Sequence, residues 1–243
     1  MRHPSPIRFT FVIFTYGEDA WMVGQCIRAL RKLGANRKNI FIYDDAAHPL
    51  PYPPKNVQYS QTHFNRHGNL NGRECVEGEL FCMMEAAKKS DAHVIVKVDS
   101  DVIINSLAWI ENLDFMGSHI GFHIGEGKRH LSGCAYSLPS WSILPMLRKL
   151  HSTPLSDSIG ESIAISHLAK SIGLSQEAYE CNSSNPDLWR ASSIDGREMS
   201  NGELSPHAYH LMKNLDVVLC DLIAPQRDKA RNFQLMKTFL DNG

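Results

Sequence analysis

Two aspartates one residue apart, Asp99-Ser100-Asp101, close an apolar run, His93-Val94-Ile95-Val96-Lys97-Val98. In an extended chain residues i and i+2 face the same way. The spacing therefore predicts two carboxylates presented together at a strand end. Carboxylates that close repel, and each raises the other's pKa unless a cation stands between them. A hard divalent ion held by a few carboxylates, water and substrate phosphates resolves the repulsion. The carboxyl end of a parallel strand is also where open α/β sheets bind ligands. A metal-phosphate site is the chemistry this motif predicts. An Asp-rich surface turn is the plain alternative, and the buried strand and long helix ahead of the motif favour the site.

Such a site needs a parallel sheet to hold it, and the first half of the sequence supplies the parts. Phe9-Thr10-Phe11-Val12-Ile13-Phe14 reads as a buried strand. Residues 20–33 switch to helical spacing, with Val23, Cys26, Ile27 and Leu30 on one face and Gly34 as a C-cap. Ile40-Phe41-Ile42-Tyr43 is a second strand ending in Asp44-Asp45, which completes a βαβ unit with a right-handed crossover. Residues 48–63 hold four of the 12 prolines and read as loop. Residues 69–73 lead into a helix over 74–89, whose outer side carries a Glu85–Lys89 pair. The second half predicts a short helix at 106–112, a strand at 120–124 and a small-residue run at 132–138 leading into a helix over 139–151. A further helix covers 159–172 and stops at Gly173. Residues 180–206 read as loop and 226–243 as a charged tail.

With 243 residues the chain is read as one domain able to bury a sizeable core without staples. A net charge of −1 gives no electrostatic footprint for nucleic acid or an anionic membrane. No stretch approaches the ~20 apolar residues of a membrane helix. Met1-Arg2-His3-Pro4-Ser5-Pro6 lacks the apolar core of a secretory signal, so the expectation is a cytoplasmic chain. The 6 cysteines form no CxxC pair and are read as reduced. The 12 histidines show no HExxH spacing.

The order strand, helix, strand ending in acid, helix, strand ending in Asp-x-Asp resembles the nucleotide-sugar-binding half of GT-A glycosyltransferases. Gly133-Cys134-Ala135-Tyr136-Ser137-Leu138 resembles the GGAYxLS stretch of the fringe-like β-1,3-glycosyltransferases. Gly160-Glu161-Ser162-Ile163-Ala164-Ile165-Ser166 resembles their EDVxIG segment, and Ala208-Tyr209-His210-Leu211-Met212-Lys213 their late FHxxK segment. The resemblance runs over about residues 8–214. It implies an α/β, Rossmann-like GT-A fold with a mixed, mostly parallel sheet flanked by helices. The single domain, 1–243, would divide into a nucleotide-binding half (1–105), an acceptor and metal-completing half (106–225) and a tail (226–243).

The resemblance also implies roles. Asp101 would bind Mn²⁺ or Mg²⁺ directly. Asp99 would meet the ribose or remain close to the nucleotide and the ion, with Ser100 beside it. Thr15, Tyr16 and Gly17 would line the base and ribose pocket. Asp44 or Asp45 would take a base or ribose hydrogen bond, the other being a turn residue. Arg73 would approach the phosphates or, alternatively, pair with Glu77. His210, or His207 near it, would complete the metal shell, unless His210 is an ordinary strand residue. Glu161 would deprotonate the acceptor hydroxyl, or simply suit a helix N-terminus. The aspartate expected beside it is Ser162, so Asp157 is the other candidate, and a retaining reaction needing no base stays open. Cys134 stands where the pattern has a second glycine.

The function implied is metal-dependent transfer of a hexose from a nucleoside diphosphate sugar, UDP for preference, to a saccharide or other hydroxyl acceptor, by inversion. A sugar-1-phosphate nucleotidyltransferase is the first alternative. It would carry a Gly-rich basic loop after the first strand, and Thr15-Tyr16-Gly17-Glu18-Asp19 has one glycine and two acids. A non-catalytic α/β binding protein is the second. A metal-dependent nuclease or phosphohydrolase would gather more acids, often with His.

Overall fold

The computed structural model describes residues 7–64, 72–110, 113–122, 129–156, 159–181, 213–219, 237 and 240–241. Strand β1 (Phe9–Thr15), helix α1 (Ala20–Lys32) and strand β2 (Ile40–Asp45) form the expected βαβ unit. The chain leaves α1 through Gly34 at φ +88, the left-handed conformation that a C-cap glycine supplies. Strand β3 (Gln58–Thr62) then adds to the edge, parallel to β2. Helix α2 (Gly72–Ser90) leads into strand β4 (Val94–Asp99), and after a turn comes strand β5 (Val102–Ile104). Strands β6 (Phe115–Phe122) and β7 (Arg129–Pro139) precede helices α3 (Ser140–Ser152) and α4 (Glu161–Ser171). Strands β8 (Ser175–Ala178) and β9 (Val217–Leu219) complete the described elements.

The main sheet has seven strands in the order β3-β2-β1-β4-β7-β6-β8. The first four are mutually parallel, β7 runs antiparallel to both β4 and β6, and β8 is parallel to β6. This mixed, mostly parallel sheet meets the sequence expectation. A separate pair, β5 with β9, runs antiparallel, with Val102 opposite Leu219 and Ile104 opposite Val217.

Period-2 alternation divides the interior into two cores. Phe11, Ile13, Ile40, Ile42, Val94, Val96 and Val98 face α1 and the β5–β9 pair. Val12, Phe14, Phe41, Tyr43 and Ile95 face α2, α3 and α4. Strands buried on both faces read as continuous apolar runs, which is why the first half is legible.

Several expectations change. The stretch 48–63 contains β3, whose polar Gln-Tyr-Ser-Gln-Thr sequence suits a half-exposed edge. The run 132–138 leads into a helix, α3, as expected, and is itself strand, because β7 is wedged between β4 and β6. Among the described residues of 106–112, the expected helix is a 3-10 turn, Ala108–Ile110. Cys26, Cys75, Cys82, Cys134 and Cys181 are unbridged, and Cys220 lies outside the described residues. Among the described residues, no helix is long and apolar enough to cross a membrane.

Candidate functional site

The carboxyl ends of β1, β2 and β4 meet at one edge of the sheet. Thr15 and Asp44 are neighbours across the β1–β2 register, on the face toward α1. Both are buried, at 1% and 0% exposure. Asp44 Oδ2 accepts the Leu50 N–H at 2.8 Å and the Tyr59 hydroxyl at 2.6 Å. Its backbone oxygen accepts the Thr62 hydroxyl at 3.1 Å. Asp44 Oδ1 and Thr15 Oγ1 are buried with no hydrogen-bond partner among the described residues. Buried polar atoms are nearly always bonded, so this adjacent orphan pair marks a place suited to water or ligand. Asp45 has a different job. Its Oδ1 accepts the Ala47 N–H at 2.9 Å and its Oδ2 lies 3.6 Å from His48 Nδ1, so it braces the turn at 46–48.

Tyr16 leaves β1 extended and partly exposed. Gly17 N–H donates to His48 O at 2.5 Å. A Cβ at Gly17 would stand 2.8 Å from Pro49 O, so the close passage of the two loops requires glycine here. Arg73 opens α2 and is partly exposed. The Arg73–Glu77 pair is absent among the described residues. Glu77 Oε1 instead meets His151 Nε2 at 2.9 Å.

The Asp99-Ser100-Asp101 motif is not continuous strand. β4 stops at Asp99, and Ser100 and Asp101 form the turn into β5. Strand alternation therefore aligns Asp99 with Lys97 and Ile95, not with Asp101. Ser100 is buried and donates its hydroxyl to Asp19 Oδ2 at 2.6 Å, which ties the motif to the start of α1. Asp101 and the Asp99 side chain are partly exposed. Beneath them lies buried Cys26, whose Sγ approaches Asp99 O at 3.9 Å. Burial pushes this thiol well above its ordinary value, and the charges of Asp101 and then Asp99 push it further. Both carboxylates of the motif thus act on one buried point.

A group that sequence reasoning missed organises the interior of this edge. Lys97 is 1% exposed. Its Nζ donates to Asp99 Oδ1 at 2.7 Å and to Gly133 O at 2.5 Å, and stands 3.8 Å from Glu161 Oε2. Glu161, the first residue of α4, is buried, and its Oε1 accepts the Tyr136 hydroxyl at 3.3 Å. Burial holds the Tyr136 phenol well above its ordinary value, with the charge of Glu161 next in weight. Gly133 passes close enough that a Cβ there would lie 3.3 Å from Glu161 Oε2. The GGAYxLS-like run and the segment at Glu161 thus meet at Lys97, which also holds Asp99. The signal was a single lysine inside a run of β-branched residues, and nothing in the sequence names its partners.

Among the described residues, no group of three or more His, Cys, Asp or Glu side chains is placed to hold a metal. His207, His210 and Asp157 lie outside the described residues. What the edge offers is carboxylate oxygen from few residues. That fits a hard ion such as Mg²⁺ or Mn²⁺, which fills much of its shell with water and phosphate.

No protein-family model matches the sequence, and no curated protein matches it. Solved structures do match by fold. The galactosyltransferase LgtC, in complex with donor and acceptor sugar analogues, matches with a TM-score of 0.52 at 13% identity, covering 96% of this chain and 96% of that one. A glycosyltransferase involved in glycosylation of the major capsid of PBCV-1 matches with a TM-score of 0.52 at 9% identity, covering 96% of this chain and 99% of that one. An active-site mutant of LgtC matches with a TM-score of 0.50 at 13% identity, covering 94% and 95%. The chain has the GT-A, Rossmann-like fold of nucleotide-diphospho-sugar transferases. At these identities the likeness carries the fold and no more.

Proposed function

From a GT-A fold whose β4 ends at Asp99 and turns through Ser100 and Asp101, we propose that the protein is a metal-dependent glycosyltransferase. It moves a hexose from a nucleoside diphosphate sugar, UDP for preference, to a saccharide or other hydroxyl acceptor. The observation that carries this reading is Asp99 at the carboxyl end of β4, joined through Lys97 to Glu161 and followed by Asp101 in the next turn, at the sheet edge where open α/β folds bind ligands. The fringe-like stretches at 133–138 and 160–166 support it, because the fold brings both to Asp99 through Lys97.

Thr15 Oγ1 and Asp44 Oδ1 are proposed to meet the base or ribose, with Tyr16 and Gly17 forming the adjoining wall. Asp45 keeps its turn. Asp99 and Ser100 are proposed to adjoin the ribose, and Arg73 is proposed to approach the phosphates. Asp101 is proposed as the direct ligand of Mn²⁺ or Mg²⁺, with His210 or His207 completing the shell. When bound, such an ion supplies Lewis-acid neutralisation of the diphosphate leaving group. For an inverting reaction, Glu161 is the proposed acceptor of the hydroxyl proton, with Asp157 the alternative carboxylate.

Thermal unfolding with UDP, with and without Mn²⁺, tests the reading. UDP at about 100 times its Kd adds about 2.7 kcal/mol of stability. The stabilisation is expected only with the metal, and Asp101→Ala is expected to remove it together with turnover, leaving the circular dichroism unchanged. Full transfer activity in Asp101→Ala rejects the mechanism. Stabilisation by nucleoside triphosphates alone favours nucleotidyl transfer.

A further inference from the structure

The transfer reading leaves one buried charge without a role. Lys97 projects from β4 onto the face that carries Ile95, where a second apolar side chain would pack. Its ammonium is 1% exposed and lies 5.7 Å from the centre of the Tyr136 ring. A buried ammonium is tolerated only when it is paired and fully bonded. Here the partners come from three elements: Asp99 Oδ1 on β4 at 2.7 Å, Gly133 O on β7 at 2.5 Å and Glu161 Oε2 on α4 at 3.8 Å. One fixed positive charge therefore already stands between two carboxylates of the site.

We infer that Lys97 is the built-in counter-cation of this edge and a positioning residue. It neutralises Asp99 and Glu161 and keeps the oxygens it faces out of a metal's coordination shell. Mn²⁺ then enters only together with a diphosphate, which supplies the ligands that the protein withholds. The inference rests on the metal-dependent reading for the ion itself, but it concerns how this chain's own charges are arranged.

Titration of nucleotide-free protein with Mn²⁺ alone, followed by the electron paramagnetic resonance of the free ion, tests it. Wild type is expected to bind Mn²⁺ weakly without UDP and more tightly with it. Divalent-ion affinity follows the number of charged oxygen ligands a site offers, so Lys97→Met is expected to tighten nucleotide-free Mn²⁺ binding by on the order of 10-fold. Lys97→Arg keeps the charge and is expected to behave as wild type. A purely structural role predicts no gain of metal affinity from any Lys97 variant. Lys97→Met combined with Glu161→Gln removes one positive and one negative charge from the cluster, which suits it to fold where the single variant does not. It also releases Asp99 Oδ1, so its Mn²⁺ binding is expected to stay above wild type. Unchanged or weaker binding in the folded variants overturns the inference, as does a wild type that takes up Mn²⁺ measurably and equally with and without UDP. If wild type takes up no Mn²⁺ in the presence of UDP while Lys97→Met gains it, the transfer reading falls and the role of Lys97 stands.

Discussion

Tyr59 holds Asp44 in place from the edge strand, and its own titration reports that bond. Its phenol is pushed up to about 12, first by burial and then by donating to Asp44. The folded chain therefore keeps this proton more tightly than the unfolded chain, where the ordinary value is 10.0. The stabilisation is complete below the unfolded value and is lost as pH rises through the folded one. Tyr59→Phe is expected to flatten that loss, read as urea stability at about pH 8 and about pH 11. An equal alkaline loss in both proteins would show that Tyr59 is not its source. At this scale the sequence was only partly legible. Asp99, Asp101 and Glu161 were readable as acids at element ends. Lys97 was not, because its meaning depends on Gly133 and Glu161, distant residues brought to it by the crossing of β7 and α4.

Helix α2 begins against the chain that precedes α4. A Cβ on Gly72 would stand 2.6 Å from Ile159 Cγ2 and 2.8 Å from the backbone oxygens of Ile159 and Ser156. Two of these three neighbours are backbone and yield little. Gly72→Ala is expected to destabilise by about 1–3 kcal/mol, as overpacking does. Gly24, inside α1, has nothing within 4 Å of its would-be Cβ, and Gly24→Ala is expected to stabilise by about 0.5–1 kcal/mol. Opposite shifts of the urea midpoint at constant slope check the pair; shifts of the same sign would contradict the packing at Gly72. Elements with apolar periodicity (β1, α1, β2, α2, β4, α3 and α4) were legible because burial dictates composition. β3 hid behind its polar edge sequence and neighbouring prolines. β5 and β9 are three residues each, too short to carry a period.

Over the whole molecule, the first core draws on the far end of the chain. Leu240 is 5% exposed and belongs to the cluster around α1. Lys32 Nζ donates to Leu240 O at 2.8 Å, and Arg28 Nη1 meets Asp241 Oδ1 at 2.9 Å. Leu240→Ala is expected to cost about 2–5 kcal/mol, the range for a buried leucine. A loss under about 1 kcal/mol in urea unfolding would mean that the side chain packs loosely. This tail was legible only as charged, with no hint of its berth, since one leucine has no periodicity to announce it. Global architecture was legible as a parallel α/β sheet. The reversed strand β7, which joins the two halves, was concealed by its small residues.

The hydrogen bond from Gly17 to His48 ties the loop after β1 to the turn after β2, beside the unpartnered atoms of Thr15 and Asp44. On the proposed reading, a nucleoside entering there would meet walls already set, so little chain freedom would be forfeited on association. Discrimination among bases would then depend on how well a rigid outline matches each ring, rather than on how readily the loops rearrange.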